Sequence, residues 1–375
     1  MRLALVVCIG LWVSVAASEP GTVVLRGGAE FEASSIEADA GALTCTIDGD
    51  QRIFGWQEVA EVRGPMADEV RPYLPTAESA WRGLARLARG DRVAAEPVLE
   101  SVFDDLSGQI SPTALAVSQG LLACRLARGA QALSVEPMLT EIANDSATVE
   151  IPTVKGASPL DPEFGLCPAL PPIWGTDSGL SAMVGAISRD KFGVWIHETK
   201  AEQLAKLYAT AALFELGSPA PAPTLTPVDA GVKFMQEIVL ARVGDAKQRL
   251  MARSALTDRL NAEDLPGWQS AWIHSSLGLS LIRESDEHET RLGIVELLYV
   301  PAIYAQTEPY LAGVCLSEAA IKLAELGRED AARSLATELA RNFALHPSLE
   351  RPGIRRLVGL AREHRTSTPP KKEGS

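Results

Sequence analysis

The chain has 375 residues, of which 46% are hydrophobic and 5% aromatic, and its formal net charge is −13. This length supports two or three domains and a large core. An acidic chain gains nothing from phosphate backbones or anionic membrane surfaces, so nucleic acid is set aside as a partner and the acidity reads as a solubility feature.

The first residues predict an export leader over 1–17. Arg2 supplies the positive start, Leu3 to Val15 the apolar run, and Val15-Ala16-Ala17 the small-residue cleavage pattern, with Ser18 as the first mature residue. The run is shorter than the ~20 residues that span a bilayer. The most apolar later stretch, Leu292 to Ala305, is interrupted by Glu296 and Pro301. The expectation is therefore an extracytoplasmic protein, periplasmic or secreted, with no transmembrane segment once the leader is gone. Cys45, Cys124, Cys167 and Cys315 remain, too far apart in sequence for a zinc site. Cys124 and Cys315 fall in apolar helical patterns, where a buried thiol is the default, but spacing does not choose between thiols and disulfides.

Residues 18–64 alternate with a period of two, at Val23 and Leu25, at Phe31 and Ala33, and at Leu43, Cys45 and Ile47. That period predicts half-buried strands. Gly27-Gly28 and Asp48-Gly49 between these runs suit tight hairpin turns. From Gln51 to Gly64 the spacing of Ile53, Trp56, Val59 and Val62 shifts towards three, which predicts a strand followed by a short helical turn. Four or five short strands are expected. The segment resembles the SH3-like modules found at the start of exported bacterial proteins, which implies a small barrel or meander docked on the helices that follow.

From 65 to 147 the period becomes helical. Arg86-Leu87-Ala88-Arg89-Gly90 recurs as Arg125-Leu126-Ala127-Arg128-Gly129, and the copies lead into Glu96-Pro97-Val98-Leu99 and Glu136-Pro137-Met138-Leu139. The glycines are 39 residues apart and the prolines 40, the period of stacked helical hairpins, each covering the apolar face of its neighbour. Pro97 and Pro137 are expected in the first turn of their helices, where a missing N–H costs nothing. Trp81-x-x-Leu84-Ala85-x-x-Ala88 resembles the first helix of a tetratricopeptide repeat. Leu316, Ala320, Leu323, Gly327, Ala332, Leu339 and Phe343 form a similar unit, in which Ala320 and Ala332 match the family's small positions and Gly327 its inter-helix turn. Leu339 departs from the pattern, and the terminal proline is displaced to Pro347. The resemblance implies a mainly α, solenoid-like stack of hairpins that binds protein or peptide partners without catalysis.

Residues 148–193 form a proline-rich insert, with Pro152, Pro159, Pro162, Pro168, Pro171 and Pro172 excluding a long helix or a central strand. Phe164, Leu166, Leu170, Ile173 and Trp174 make it too apolar for a solvated linker, so it must pack on something. Helical hairpins resume over 194–363, beginning with a helix from Lys200 to Leu216. Gly217 to Pro227 reads as a stiff exposed spacer, and 364–375 as a disordered tail.

Motifs that carry chemistry are missing. His197-Glu198 lacks a second histidine at helical reach, Asp286-Glu287-His288 reads as a solvated turn, and no nucleophile elbow or phosphate loop occurs. Gly175-Thr176-Asp177-Ser178-Gly179 reads as a turn. No catalytic residue, cofactor or metal is assigned, and the sequence does not set the oligomeric state. The aromatic residues near prolines, Trp174, Trp195, Tyr304 and Tyr310, are the candidates for gripping an extended peptide or a sugar ring. A hydrolase using Asp161, Glu163, Asp177 or Asp190 of the insert, with Trp174 as a sugar platform, is the alternative. A structural envelope component is a third reading.

Overall fold

A computed structural model of the chain describes residues 20–145, 158–175, 179–187, 199–218 and 221–367, with side chains through 359. The leader over 1–17, Trp195, His197, Asp177 and Asp190 lie outside the described residues.

The β-rich start holds six strands: β1 (Gly21–Leu25), β2 (Glu30–Ala33), β3 (Ser35–Ala38), β4 (Ala42–Ile47), β5 (Asp50–Gly55) and β6 (Val59–Arg63), with a 3-10 turn at Trp56–Glu58 before the last. They form two antiparallel sheets, in the orders β2-β1-β6 and β3-β4-β5. Six strands appear where four or five are expected because the chain bends at Ser34. Its N–H donates to Thr46 O at 2.9 Å, so the chain crosses there from the first sheet to the second. Val23, Ile36, Leu43, Cys45, Trp56 and Val59 from both sheets share one buried core. The shift in spacing at Ile53 to Val62 is the 3-10 turn.

The helices follow in order. After the single turn α1 (Ala67–Val70) come α2 (Leu74–Ala88), α3 (Arg92–Leu106), α4 (Pro112–Ala127) and α5 (Gln131–Asp145). The short α6 (Leu180–Ile187) and then α7 (Lys200–Glu215), α8 (Ala230–Val243), α9 (Ala246–Leu260) and α10 (Gly267–Leu281) come next. The chain closes with α11 (Glu287–Tyr304), α12 (Pro309–Glu325), α13 (Glu329–Asn342) and α14 (Pro352–Ser367). Consecutive helices pack on each other from α2 to α5 and from α7 to α14, and α8, α10, α12 and α14 also touch in turn. This is a mainly α stack of helical hairpins behind a small β-module. Among the described residues no helix is long and apolar enough to cross a membrane. Helix α14 reaches Ser367, into the segment expected as tail, since no proline interrupts it before Pro369.

The 39-residue period is a repeated turn. Gly90 and Gly129 both take positive φ, 82° and 78°, and in each case the next N–H reaches back to the arginine carbonyl five residues earlier, Asp91 to Arg86 and Ala130 to Arg125. This double reversal ends α2 and α4 identically. The arginine side chains repeat as well, Arg86 Nη1 donating to Ala94 O at 2.9 Å and Arg125 Nη1 to Leu133 O at 2.6 Å. Gly327 makes the same turn between α12 and α13, with Arg328 N–H on Leu323 O.

The prolines do not open their helices as expected. Asp91 caps α3 by accepting from Ala94 N, which sets the start at Arg92 and leaves Pro97 inside the helix, and Pro137 sits inside α5 in the same way. Pro137 deprives Leu133 O of its helical donor, and that is the carbonyl Arg125 supplies.

The β-module sits on α2 and α4. Trp56 N–H donates to Thr113 Oγ1 at 2.8 Å, and the same hydroxyl donates to Gly41 O. The Trp56 ring stacks on Tyr73 at 5.2 Å.

The backbones of α10 and α11 approach closely where the two helices cross. A Cβ on Gly293 would lie 2.8 Å from Ile282 N and 2.9 Å from Gly278 O. Neither atom can retreat, so Gly293→Ala is expected to cost about 1–3 kcal/mol of unfolding free energy, measurable as a lower urea midpoint with unchanged slope.

Candidate functional site

The proline-rich segment occupies the inside of the helical stack. Leu166, Cys167, Leu170, Ile173 and Trp174 are all buried in one core with residues of α5, α7, α8, α10 and α12. Five prolines in 158–175 remove backbone donors, so the segment offers mainly carbonyls, and the surrounding side chains answer with donors. Lys200 Nζ donates to Phe164 O at 2.6 Å, Trp272 Nε1 to Pro168 O at 3.0 Å and Tyr208 OH to Leu170 O at 2.6 Å. Tyr310 OH donates to Ile173 O at 3.3 Å and accepts from Gly175 N at 3.1 Å, while Ser348 Oγ donates to Gly175 O at 3.2 Å. Asp161 accepts from the N–H groups of Glu163 and Phe164 and so closes the turn at the segment's start. Glu163 is exposed.

Burial governs the ionisable groups along this track. Cys167 is pushed up to about 12, by burial first and then by the nearby Glu141 and Glu308 carboxyls. All four cysteines of the described residues are free and buried. Burial also raises Glu141, against hydrogen bonds from Ser158 and Gln119, and lifts Glu308 to about 7.

At the Gly175 end of this described stretch, a cleft opens between two distant parts of the chain. One wall is the α4–α5 turn, Leu126 to Leu133. The other is the start of α12, with Tyr310, and the loop Phe343 to Pro347 after α13. An inner chamber of ≈ 150 Å³ is floored by Trp174 and adjoins an outer cleft of ≈ 640 Å³, the two sharing Arg128, Gly129, Gln131, Tyr310 and Pro347. The lip residue Leu345 is 99% exposed. Arg128 is fixed by two-pronged bonding to Glu96.

Two residues that line the inner chamber each carry a buried polar atom with no hydrogen-bond partner, Trp174 Nε1 and Gln131 Oε1. These residues are 2% and 8% exposed. A buried donor or acceptor left unpaired costs about 1–3 kcal/mol.

The structure thus brings Trp174 and Tyr310 together. Tyr304 lies elsewhere, 6.2 Å from Tyr299, which itself stacks on His274 at 4.1 Å. Gln131, Leu345 and His346 were not among the sequence candidates. His346 is buried, with Nε2–H donating to Tyr310 O at 2.8 Å and Nδ1 accepting from Ser348 N at 3.1 Å. That pair of contacts defines a neutral ring, and burial lowers its pKa to about 4.

Comparison of the chain with protein-family models, curated proteins and solved structures found no match. What the cleft takes is therefore read from its own chemistry.

Two predictions follow from these environments. Tyr208→Phe leaves Leu170 O buried without a donor and is expected to cost about 1–3 kcal/mol in urea unfolding. The second concerns pH. His346 titrates near 6.5 when unfolded and about 4 when folded, so the unfolded state binds the extra proton and stability is lost as pH falls from 6.5 to 4. Glu308 runs the other way, 4.5 unfolded and about 7 folded, so its contribution is lost as pH rises from 4.5 to 7. The two offset each other in the wild type between 4.5 and 6.5. Glu308→Gln unmasks the histidine, and its stability should fall by about 2 kcal/mol more than that of the wild type between pH 6.5 and 4.5.

Proposed function

We propose that this chain is an exported, non-catalytic adaptor whose helical hairpins hold a peptide segment of a partner protein in the cleft beside Tyr310. The observation that carries the reading is the cleft, lined by Trp174, Tyr310 and Pro347, with an unpaired indole N–H on Trp174 and an unpaired amide oxygen on Gln131 buried in its wall. One donor and one acceptor are what a backbone peptide unit answers, and aromatic and proline surfaces grip extended chains. The helices already hold one extended proline-rich stretch, the protein's own, with donors aimed at its carbonyls. The cleft extends that track past Gly175.

Further support comes from the two resemblances. The two small antiparallel sheets, with a 3-10 turn before the last strand, support the SH3-like resemblance, and the glycine turns at Gly90, Gly129 and Gly327 support the tetratricopeptide one. An adaptor outside the cytoplasm agrees with the leader expected over residues 1–17.

Selection of a random peptide library displayed on phage tests the reading. Enriched peptides are expected to bind saturably and to lose at least tenfold in affinity on Leu345→Asp or Phe343→Ala, both at the cleft mouth. Failure to enrich any saturable peptide, or peptides that bind these variants as tightly as the wild type, would overturn it.

A further inference from the structure

Glutamate is seldom fully buried without a partner charge, yet Glu141 of α5 is only 2% exposed. Across the hairpin it meets Gln119 of α4, which is 6% exposed. One bond joins them, Gln119 Nε2 donating to Glu141 Oε1 at 3.1 Å. The Ser158 hydroxyl also bonds the carboxyl, and no cation is among the groups that act on it. A mismatch remains. The other oxygen of each group, Gln119 Oε1 and Glu141 Oε2, is buried with no partner. An ionised glutamate makes both of them acceptors, so neither can answer the other.

We infer that Glu141 is a neutral acid in the folded protein, its Oε2–H donating to Gln119 Oε1, and that this pair is a proton-held latch between α4 and α5. A carboxylic acid and a primary amide are matched for this. Each carries a donor and an acceptor side by side on a planar group, so two parallel hydrogen bonds close a ring. A single proton satisfies both leftover atoms and removes a buried charge. Ionisation breaks the second bond, sets two acceptors against each other and puts a charge in the interior.

The surroundings keep the acid neutral. Burial is the first cause that raises Glu141, and Asp145, one turn further along α5, adds to it, while the bonds from Ser158 and Gln119 act the other way. The Cys167 thiol of the proline-rich segment is close enough to feel Glu141 and, pushed up to about 12, carries no charge. The helices packed on α5 are α4, α6 and α7. Helix α6 holds no titratable side chain. Helix α7 brings Tyr208 against Met138, and burial holds that phenol neutral. On α4, Arg125 is committed to Leu133 O and Glu100. Three residues beyond Glu141, Asn144 accepts from Ser111 N at 2.8 Å and donates to Gln109 O at 3.0 Å, which fixes the loop between α3 and α4. That loop leads into Thr113, the residue that ties down the β-module. The latch thus holds α5 where the α3–α4 loop rests on it. Since the folded chain keeps this proton to higher pH than the unfolded chain, the latch contributes its full stability below the ordinary glutamate range and loses it as pH rises through the folded value.

Infrared spectroscopy of the full chain, taken as the difference between wild type and Glu141→Gln, tests the inference. At about pH 5.5, roughly one unit above where an ordinary glutamate ionises, the wild type should show a protonated-carboxyl C=O band that the variant lacks. Bands of Glu308 and of every other acid cancel in the difference. The band should move to higher frequency in Gln119→Leu, where the acid has lost its amide partner, and that comparison stands even if Glu141→Gln fails to fold. Urea unfolding supplies a second readout. The Glu141→Gln amide makes both bonds without a proton, so its midpoint should gain on that of the wild type steadily as pH rises from about 4.5 to 8. No carboxyl band in the difference, a band indifferent to Gln119→Leu, or midpoints that stay parallel over that range would each overturn the inference, the first in favour of a carboxylate held by a bound cation.

Discussion

The rest of the structure depends on burying a proline-rich stretch inside the helical stack. Such a stretch cannot form a helix or a sheet, so its own N–H groups satisfy only some of its carbonyls, those of Asp161, Leu166 and Cys167 among them. Its apolar side chains nonetheless belong in the interior. The conflict is resolved by side-chain donors on the surrounding helices: Trp272 from α10, Tyr208 from α7 and Tyr310 from α12 each supply one bond to the segment. Each of these bonds joins parts of the chain far apart in sequence. The segment therefore ties the middle of the stack to its end, and this is why a single core runs from α5 to α12.

A similar exchange operates at smaller scale in the repeated unit. Proline at 137 removes a helical donor, and an arginine from the preceding helix restores it at Leu133 O. The β-module is attached by the same means, with one threonine hydroxyl accepting from one loop and donating to another. Hydrogen bonding of this kind adds little net stability per bond, but leaving the groups unpaired would cost more. It specifies where elements sit, while apolar burial supplies most of the driving force.

Much of this was legible in the sequence because it rests on local periodicity. The alternation around Val23 and Leu43, the recurrence of Arg86 to Gly90, the helix beginning at Lys200 and the need of Trp174 to pack all follow from patterns within one or two elements. Pro97 was misplaced because an aspartate cap upstream outweighed proline's preference for the first turn, and Pro137 takes the same interior place in α5. The cleft was only half legible. Trp174 and Tyr310 stood out as aromatics near prolines, and so did Tyr304, which the α11–α12 turn sends elsewhere. The approach of the Gly129 turn to Phe343 and His346 was not legible, because it accumulates from small rotations over many helices.

Buried polar groups without partners occur at several places in the chain, among them Ser276 and Ser280 of α10. Those two line neither chamber of the cleft. Trp174 Nε1 and Gln131 Oε1 differ because their residues line the inner chamber, beside a track on which the neighbouring carbonyls are paired. A sequence that answers Ile173 O and Gly175 O with specific side chains, and then leaves a donor and an acceptor unanswered next to them, breaks its own local rule at one spot. Such breaks are expected where a site is kept for something outside the chain.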